Sequence, residues 1–370
     1  MSTSTGADRT LAASASALER IRALDVAVLM GGESSEREVS LWTGAAVVDA
    51  LRRPPAEGER SGPRRVIPVR LEPDGTWIVD DRPMSALDAL RSLGGDCVHF
   101  LALHGGRGEN GTVQGLLESL GRAHTGSGVE ASALCMNKHA TRLLLREAGV
   151  PVARGRRVTP GEWRNARAAL AKELGALSET GYSVKPTRGG SSVATTLLEE
   201  AGGLGSALDA VFATGDDAIV EERIRGAETT CGVLGLRGRA LIALPPVEIV
   251  PKAGAFFDFE EKYSKDGAQE FCPPRSLAPR TVERIRELAR TAFEAAACEG
   301  HARIDFMIPR TPDGREGEPI ALEINTLPGM TARSLLPLAA KAAGVSFRAL
   351  CLEIVGLALD RSMRDGERRS

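Results

Sequence analysis

The chain has 370 residues, 42% hydrophobic and 26% charged, the make-up of a globular protein with more than one core. Its 47 basic and 49 acidic side chains leave a formal charge of -2, which gives no reason to expect a nucleic-acid or membrane partner, and no apolar run approaches a bilayer span. The 6 cysteines are scattered without CxxC or Cys/His spacing, as expected of reduced core thiols in a cytoplasmic protein.

Residues 1–24 begin rich in Ala, Ser and Thr but lack the apolar stretch and cleavage site of a signal peptide. They read as a flexible tail or a frayed helix. The first element is VAVLM at 26–30, a continuous apolar run suited to a buried parallel strand. Gly31-Gly32 follows, then the amphipathic ESSEREVSLWTGAAVVDAL. Strand, paired glycines and helix together present backbone N–H groups to an anion, although a tight turn alone also calls for glycine. Glu36 and Glu38 near the helix start would also complement its dipole. After a Pro- and Arg-rich loop over 52–65 come the strand VIPVRL and, at 97–105, the buried strand CVHFLALHG. It runs into the polar, Gly-rich turn HGGRGENGTVQG, which enters a helix over 112–120. His104 lies in that turn, where a lone histidine is an ordinary residue. Two βα units with Gly and Glu in both turns predict an open α/β domain with a ligand at the strand carboxyl ends.

From about 131 the character changes. MNKHATRLLLREAGVP reads as a helix capped by Asn137 and closed by Gly149 and Pro151. Thr159, Pro160 and Glu162 form a capping box with proline at the first helical position. YSVKP at 182–186 is a strand with Lys185 at its end, and TRGGSS at 187–192 leads into the strand VATTLLE. Glycines and hydroxyls behind a lysine read either as a phosphate cover or as a mobile turn; no GxxxxGK[ST] sequence occurs. A helix near 205–212 precedes the strands AIVEERI, ETTCGVLGL and RALIALPPVEIV. The irregular stretch at 256–274 carries Tyr263, one of 2 tyrosines in the chain, beside Lys262. Helices over 279–298 and 347–359 show the apolar stripe of core-facing elements.

Residues 303–329 read as a β-hairpin, with two alternating apolar runs flanking an Asp313-Gly314 turn. Alternation puts Arg303, Asp305 and Met307 on one face and Ile304, Phe306 and Ile308 on the other. Glu323 and Asn325 share a face on the return strand. Centring the hairpin on Gly314 pairs Asp305 with Glu323, and a bulge would shift this by one. Two carboxylates and an amide oxygen beside a guanidinium are hard donors that suit Mg²⁺ and leave room for water and phosphate. Any one of them alone would be a solvated polar face. The four together, followed by a Pro-Gly turn, point to a metal-phosphate site.

GGESSEREVS, ALHGGRGENGTVQG, VKPTRGGSSVA, KYSKDGAQEFCP, ARIDFM and EINTLPGMTARSLLP resemble, in order, the successive motifs of D-alanine–D-alanine ligases of the ATP-grasp superfamily, over roughly 26–359. The implied fold class is α/β, with α+β character in the C-terminal half: an ATP-grasp fold behind an N-terminal Rossmann-like, pre-ATP-grasp domain. The expected division is a tail at 1–24, a substrate domain at 25–130, a central subdomain at 131–222 and a catalytic domain at 223–370. The resemblance implies ligation of two D-alanines through an acyl phosphate, with ATP as co-substrate and Mg²⁺ or Mn²⁺ as cofactor, in a cytoplasmic homodimer. It implies Asp305, Glu323 and Asn325 as metal ligands and Arg303 on the transferring phosphate and oxyanion. Lys138, Lys185 and Lys262 would bind ATP phosphates, with Glu221 and Glu228 on adenine and ribose. Glu36 and His104 would hold the first D-alanine, and Ser334 with Leu335 the second carboxylate. Ser191 and Tyr263 would complete a hydrogen-bond network with Glu36.

Three positions depart from the family pattern. Asn110 replaces a usual acidic residue, Gly189 a frequent glutamate, and Ala194 a common glycine. Two rival readings remain at this point: a ligase of the same fold with another second substrate, D-lactate or another amino acid, and a nucleotide sensor without turnover. Arg303, Asp305, Glu323 and Asn325 together argue against the sensor, which needs no transition-state arginine.

Overall fold

The apolar run at 26–30 becomes the centre of a sheet because both its faces are covered. In the computed structural model, which describes residues 12–189, 194–251, 268–311 and 313–367, strand β1 (Asp25–Gly31) is buried along its whole length. With β2 (Arg65–Leu71), β3 (Trp77–Val79), β4 (Arg82–Met84) and β5 (Val98–Leu101) it forms a five-stranded sheet in the order β4-β3-β2-β1-β5. β1 runs parallel to both β2 and β5. The chain therefore leaves β1 towards one side and later returns on the other, which opens a crevice at the carboxyl ends of β1 and β5.

Helix α1 (Ala15–Arg20) precedes this sheet. Its Ala17, Leu18 and Ile21, in the turn that follows, are buried in the core. Of the two readings of this segment, flexible tail or frayed helix, residues 12–24 hold the helix, packed rather than frayed; residues 1–11 lie outside the described residues. Helices α2 (Arg37–Arg52), α3 (Ala86–Ser92), α4 (Gly106–Glu109) and α5 (Thr112–Ser119) complete the first unit.

Next come α6 (Val129–Met136) and α7 (Lys138–Glu147), the latter capped by Asn137 as expected, its side chain accepting from the Ala140 N–H. A four-stranded antiparallel sheet follows, built from β6 (Gly155–Val158), β7 (Tyr182–Pro186), β8 (Thr196–Leu198) and β9 (Ala218–Glu222) in the order β6-β9-β7-β8. Helices α8 (Pro160–Gly175), started by the Thr159/Glu162 capping box, and α9 (Leu204–Ala213) cover it. Trp163, Leu170, Tyr182, Leu208 and Val220 give this small unit a core of its own.

The largest sheet runs β13-β12-β10-β14-β15, with β11 paired to β10. Its strands are β10 (Gly226–Gly235), β11 (Ile242–Ala243), β12 (Val247–Val250), β13 (Gln269–Phe271), β14 (Gly300–Pro309) and β15 (Ile320–Asn325). The stretch expected as one strand through 239–250 splits into β11 and β12 around Pro245 and Pro246, which cannot donate to a ladder. Helix α10 (Pro279–Ala295) packs on the outer face, where Phe293 meets Ile304 and Phe306. Leu145 of α7 joins that core, so α6 and α7 lie on the large sheet although they precede the small one in the chain. Helices α11 (Leu335–Ala342) and α12 (Phe347–Glu367) close the chain. Leu350, Ile354 and Leu357 of α12 share one core with Val26, Val28 and Phe100 of the first sheet and with Leu234 and Ile249 of the large one. The first and last units are therefore fused by packing. Among the described residues no single helix is long and apolar enough to cross a membrane.

Candidate active site

The hairpin at 303–325 forms in the expected register. Arg303 lies opposite Asn325 and Asp305 opposite Glu323, and the shift allowed for falls between Asp305 and Phe306. The alternation holds: Ile304, Phe306 and Ile308 are fully buried in the outer core, while Arg303 and Asp305 face the other way. Arg303 forks onto Asp305 with Nε–Oδ1 and Nη2–Oδ2 both at 2.8 Å, the strong bidentate form of a charge-assisted bond. Thr230, opposite Asp305 on β10, donates from Oγ1 to Oδ1 at 2.5 Å. Glu323 Oε2 lies 3.6 Å from Lys138 Nζ, and Asn325 Oδ1 accepts from the Leu327 N–H at 3.1 Å. Among the described residues no three His, Cys, Asp or Glu gather to hold an ion, so a divalent cation here needs the Asn325 amide as its third donor. Two carboxylates and an amide oxygen on one sheet face are the oxygen set that Mg²⁺ takes, and the residues fit. Glu228 is half-buried on the same face, two residues before Thr230 and opposite Met307.

Across the cleft the first sheet supplies Glu36 and His104. His104 is buried rather than an ordinary turn residue: its Nε2 lies 3.0 Å from Thr43 Oγ1 and its Nδ1 3.6 Å from Glu109 Oε1. Glu36 occupies the N-cap position of α2 without a capping bond from its side chain. Gly105 adopts φ 65 and ψ 174, a conformation essentially confined to glycine. A Cβ there would sit 2.8 Å from Glu36 Oε2. The glycine thus lets the turn after β5 close onto the carboxylate at the start of α2. Glu36, His104, Glu109, Lys138, Arg303, Glu323 and Asn325 line one polar cleft.

Lys185 and Glu221 also come together. Lys185 Nζ is 2.7 Å from Glu221 Oε2, and Arg142 Nε is 2.6 Å from Glu221 Oε1. Lys138 Nζ donates to the Gly189 carbonyl, and its backbone N–H donates to Thr187 O at 2.8 Å, tying α7 to the turn after β7. Ser334 caps α11 by position, but its Oγ accepts from the Thr331 N–H at 3.0 Å. The Leu335 side chain is buried in the shared core, so any hold on a carboxylate falls to its backbone N–H. Ser191, Lys262 and Tyr263 lie outside the described residues. Ala194, at the position where the family often has glycine, adopts φ +54.

Sequence reasoning missed Thr43, Glu109, Thr230 and Arg142, and also Glu270. Glu270 on β13 pairs with Ile249, which pairs with Glu228, so it faces the cleft side of the sheet. Burial pushes its carboxyl up, against the lowering pull of Arg333 and Arg303.

The family model for the C-terminus of D-ala D-ala ligases matches residues 144–356. The D-alanine–D-alanine ligase of Desulforudis audaxviator is 41% identical over 338 residues, covering 91% of this chain and 99% of its own. D-alanine–D-alanine ligase B of Chromobacterium violaceum is 38% identical over 330 residues, covering 89% and 96%. The structure of the Bacillus anthracis D-alanine–D-alanine ligase complexed with ATP superposes with a TM-score of 0.72 at 30% identity, covering 93% of this chain and 100% of that one. The VanG D-Ala:D-Ser ligase of Enterococcus faecalis gives a TM-score of 0.73 at 28% identity, covering 90% and 99%. Similarity at this level along nearly the whole chain agrees with the cleft geometry, and the chain belongs to the D-alanine–D-alanine ligase family.

Proposed function

We propose that the protein joins two D-alanine molecules to D-alanyl-D-alanine at the expense of ATP, for peptidoglycan precursor synthesis, as a cytoplasmic homodimer. The observation that carries this reading is the cleft itself, in which Glu36 and His104 face the Arg303, Asp305, Glu323 and Asn325 set. Asp305, Glu323 and Asn325 would hold Mg²⁺ or Mn²⁺, which when bound neutralises phosphate charge. Lys138 and Lys185 reach the phosphates as point charges, Lys262 would join them by resemblance to the family, and Glu221 and Glu228 hold adenine and ribose.

Glu36 anchors the ammonium of the first D-alanine while the buried His104 fixes the turn beside it. A carboxylate oxygen of this D-alanine then attacks the γ-phosphorus, its bond to the bridging oxygen of ADP breaks, and an acyl phosphate forms. The second D-alanine, its carboxylate held by Ser334 and the Leu335 N–H, loses its ammonium proton to solvent and attacks the acyl carbon with the neutral amine, which gives up a further proton to the departing phosphate as the amide forms. Arg303 carries the developing oxyanion and releases Asp305 as it turns to the phosphate. Collapse expels inorganic phosphate and leaves the amide. By resemblance to the family, Ser191 and Tyr263 would complete a hydrogen-bond network with Glu36.

The likeness to a D-Ala:D-Ser ligase makes the second substrate the point to test. Phosphate release is measured with ATP, Mg²⁺ and D-alanine alone, then with D-alanine plus D-serine or D-lactate, and the products are separated. D-Alanyl-D-alanine as the main product supports the proposal. A mixed product in excess replaces the acceptor, and no phosphate release removes the activity.

A further inference from the structure

We infer that Arg142 is a positioning residue for nucleotide binding: it stays on Glu221 so that Lys185 is released to a phosphate of ATP. The inference rests on the ATP reading of Lys185 and Glu221 above.

Glu221 bridges two cations in a buried place. Its side chain is 7% exposed and those of Arg142 and Lys185 are 8% and 12% exposed. Each cation takes one carboxylate oxygen, Arg142 Nε at 2.6 Å from Oε1 and Lys185 Nζ at 2.7 Å from Oε2. The carboxylate is fixed from below, because Glu221 lies in ladders with Gly155 and Ser183. A Cβ on Gly155 would come 2.9 Å from Glu221 Cγ, so its side chain lies over a bare backbone.

The two cations are not equivalent. Arg142 is anchored a second time, donating from Nη2 to Ala153 O at 2.6 Å. It extends from α7, whose Leu145 belongs to the large-sheet core, whereas Glu221 and Lys185 belong to the small sheet. The Arg142–Glu221 contact is therefore a tie between the two units. Lys185 has a single point charge on a flexible stem and sits one residue before the end of β7, next to the turn that Lys138 touches. When its ammonium leaves for a phosphate, Glu221 would be a buried carboxylate with no counter-charge, a costly state. Arg142 prevents that state. The resting contact of Arg142 Nε is an ion pair without an aligned hydrogen bond, which leaves the guanidinium room to square up on both oxygens once Lys185 has gone.

The test measures MgATP dissociation constants by calorimetry, with kcat and KM, for the wild type and Arg142→Met, Arg142→Lys, Glu221→Gln and the Arg142→Met/Glu221→Gln double variant. Arg142→Met is expected to weaken MgATP and raise KM for ATP at least tenfold, with KM for D-alanine within twofold. Arg142→Lys should recover most of the loss. In the Glu221→Gln background Arg142→Met should add less than twofold, because no carboxylate remains to be balanced. A structural role alone would give the same loss in both backgrounds, and that result overturns the inference. So does an Arg142→Met protein with wild-type ATP affinity. Should Arg142→Met fail to fold, Arg142→Gln, which keeps a donor for Ala153 O but carries no charge, measured with and without Glu221→Gln, decides by the same coupling. If Lys185→Met and Glu221→Gln alone leave ATP binding unchanged, the ATP reading itself falls, independently of Arg142.

Discussion

Gly105→Ala tests the donor side of the cleft with one methyl group. The residue adopts φ 65 and ψ 174, where a side chain costs about 1–3 kcal/mol. Its new Cβ would stand 2.8 Å from Glu36 Oε2, so the carboxylate must retreat by about 0.7 Å to regain van der Waals contact. A displacement of roughly 1 Å in a positioning group can cost about a hundredfold in rate. The expected outcome is a loss of about 2 kcal/mol in urea unfolding and a fall in kcat/KM for the first D-alanine of roughly ten- to a hundredfold, with KM for ATP unchanged. Gly106→Ala is the control. Its φ is also positive, at +50, but its Cβ would meet Glu33 Oε1 at 3.2 Å instead. It should lose about 1–2 kcal/mol of stability while keeping its D-alanine kinetics. A folded Gly105→Ala protein with wild-type D-alanine kinetics would refute the placement of Glu36, and equal kinetic losses in both variants would reduce it to backbone strain.

Glu323→Gln should abolish turnover at all Mg²⁺ concentrations with an unchanged melting curve; near wild-type activity at saturating Mg²⁺ would remove the metal assignment. Burial holds the His99 and His301 imidazoles down to about 4. The unfolded chain therefore takes up protons below about pH 6.5 while the folded one does not, and stability that is full above that pH falls towards pH 4, by roughly 2 kcal/mol per histidine at pH 5. Urea unfolding at pH 7 and 5 should show this, with a shallower pH dependence in His301→Leu; parallel slopes would exclude His301 as a source. Tyr263→Phe should lower dipeptide yield and admit some ester product with D-lactate, more at lower pH where the competing amine is protonated. A product ratio that stays fixed across pH would place specificity elsewhere.

The hairpin was the most legible part of the chain, because alternation and an Asp-Gly turn determine both register and face. Asp305, Glu323 and Asn325 followed from counting, and only the bulge needed the structure to place it. Thr230 and Glu270 were not legible, since strand neighbours distant in sequence are set by sheet order. Arg142 was within reach: it lies one helical turn after Lys138, on the same side of α7. Its burial, however, depends on Glu221, 79 residues further along the chain. The helix at 15–20 was legible only as a frayed alternative to a flexible tail, because of its Ala- and Ser-rich approach. Yet Ala17, Leu18 and Ile21 recur at helical spacing, and α12 supplies the apolar surface that they needed.

The core shared by the first sheet, the large sheet and α12 has a consequence for inhibitors. Glu36 and His104 ride on the same packed body as Arg303 and Asp305, whereas Lys185 and Glu221 ride on a unit with its own core. A small molecule that spans from Glu36 to Asp305 meets a target already assembled, and its affinity depends little on nucleotide. A molecule that must also grip Lys185 has to draw a second body into place and break the Lys185–Glu221 pair. Compounds of the first kind should associate quickly whatever the nucleotide, and those of the second slowly and in competition with ATP.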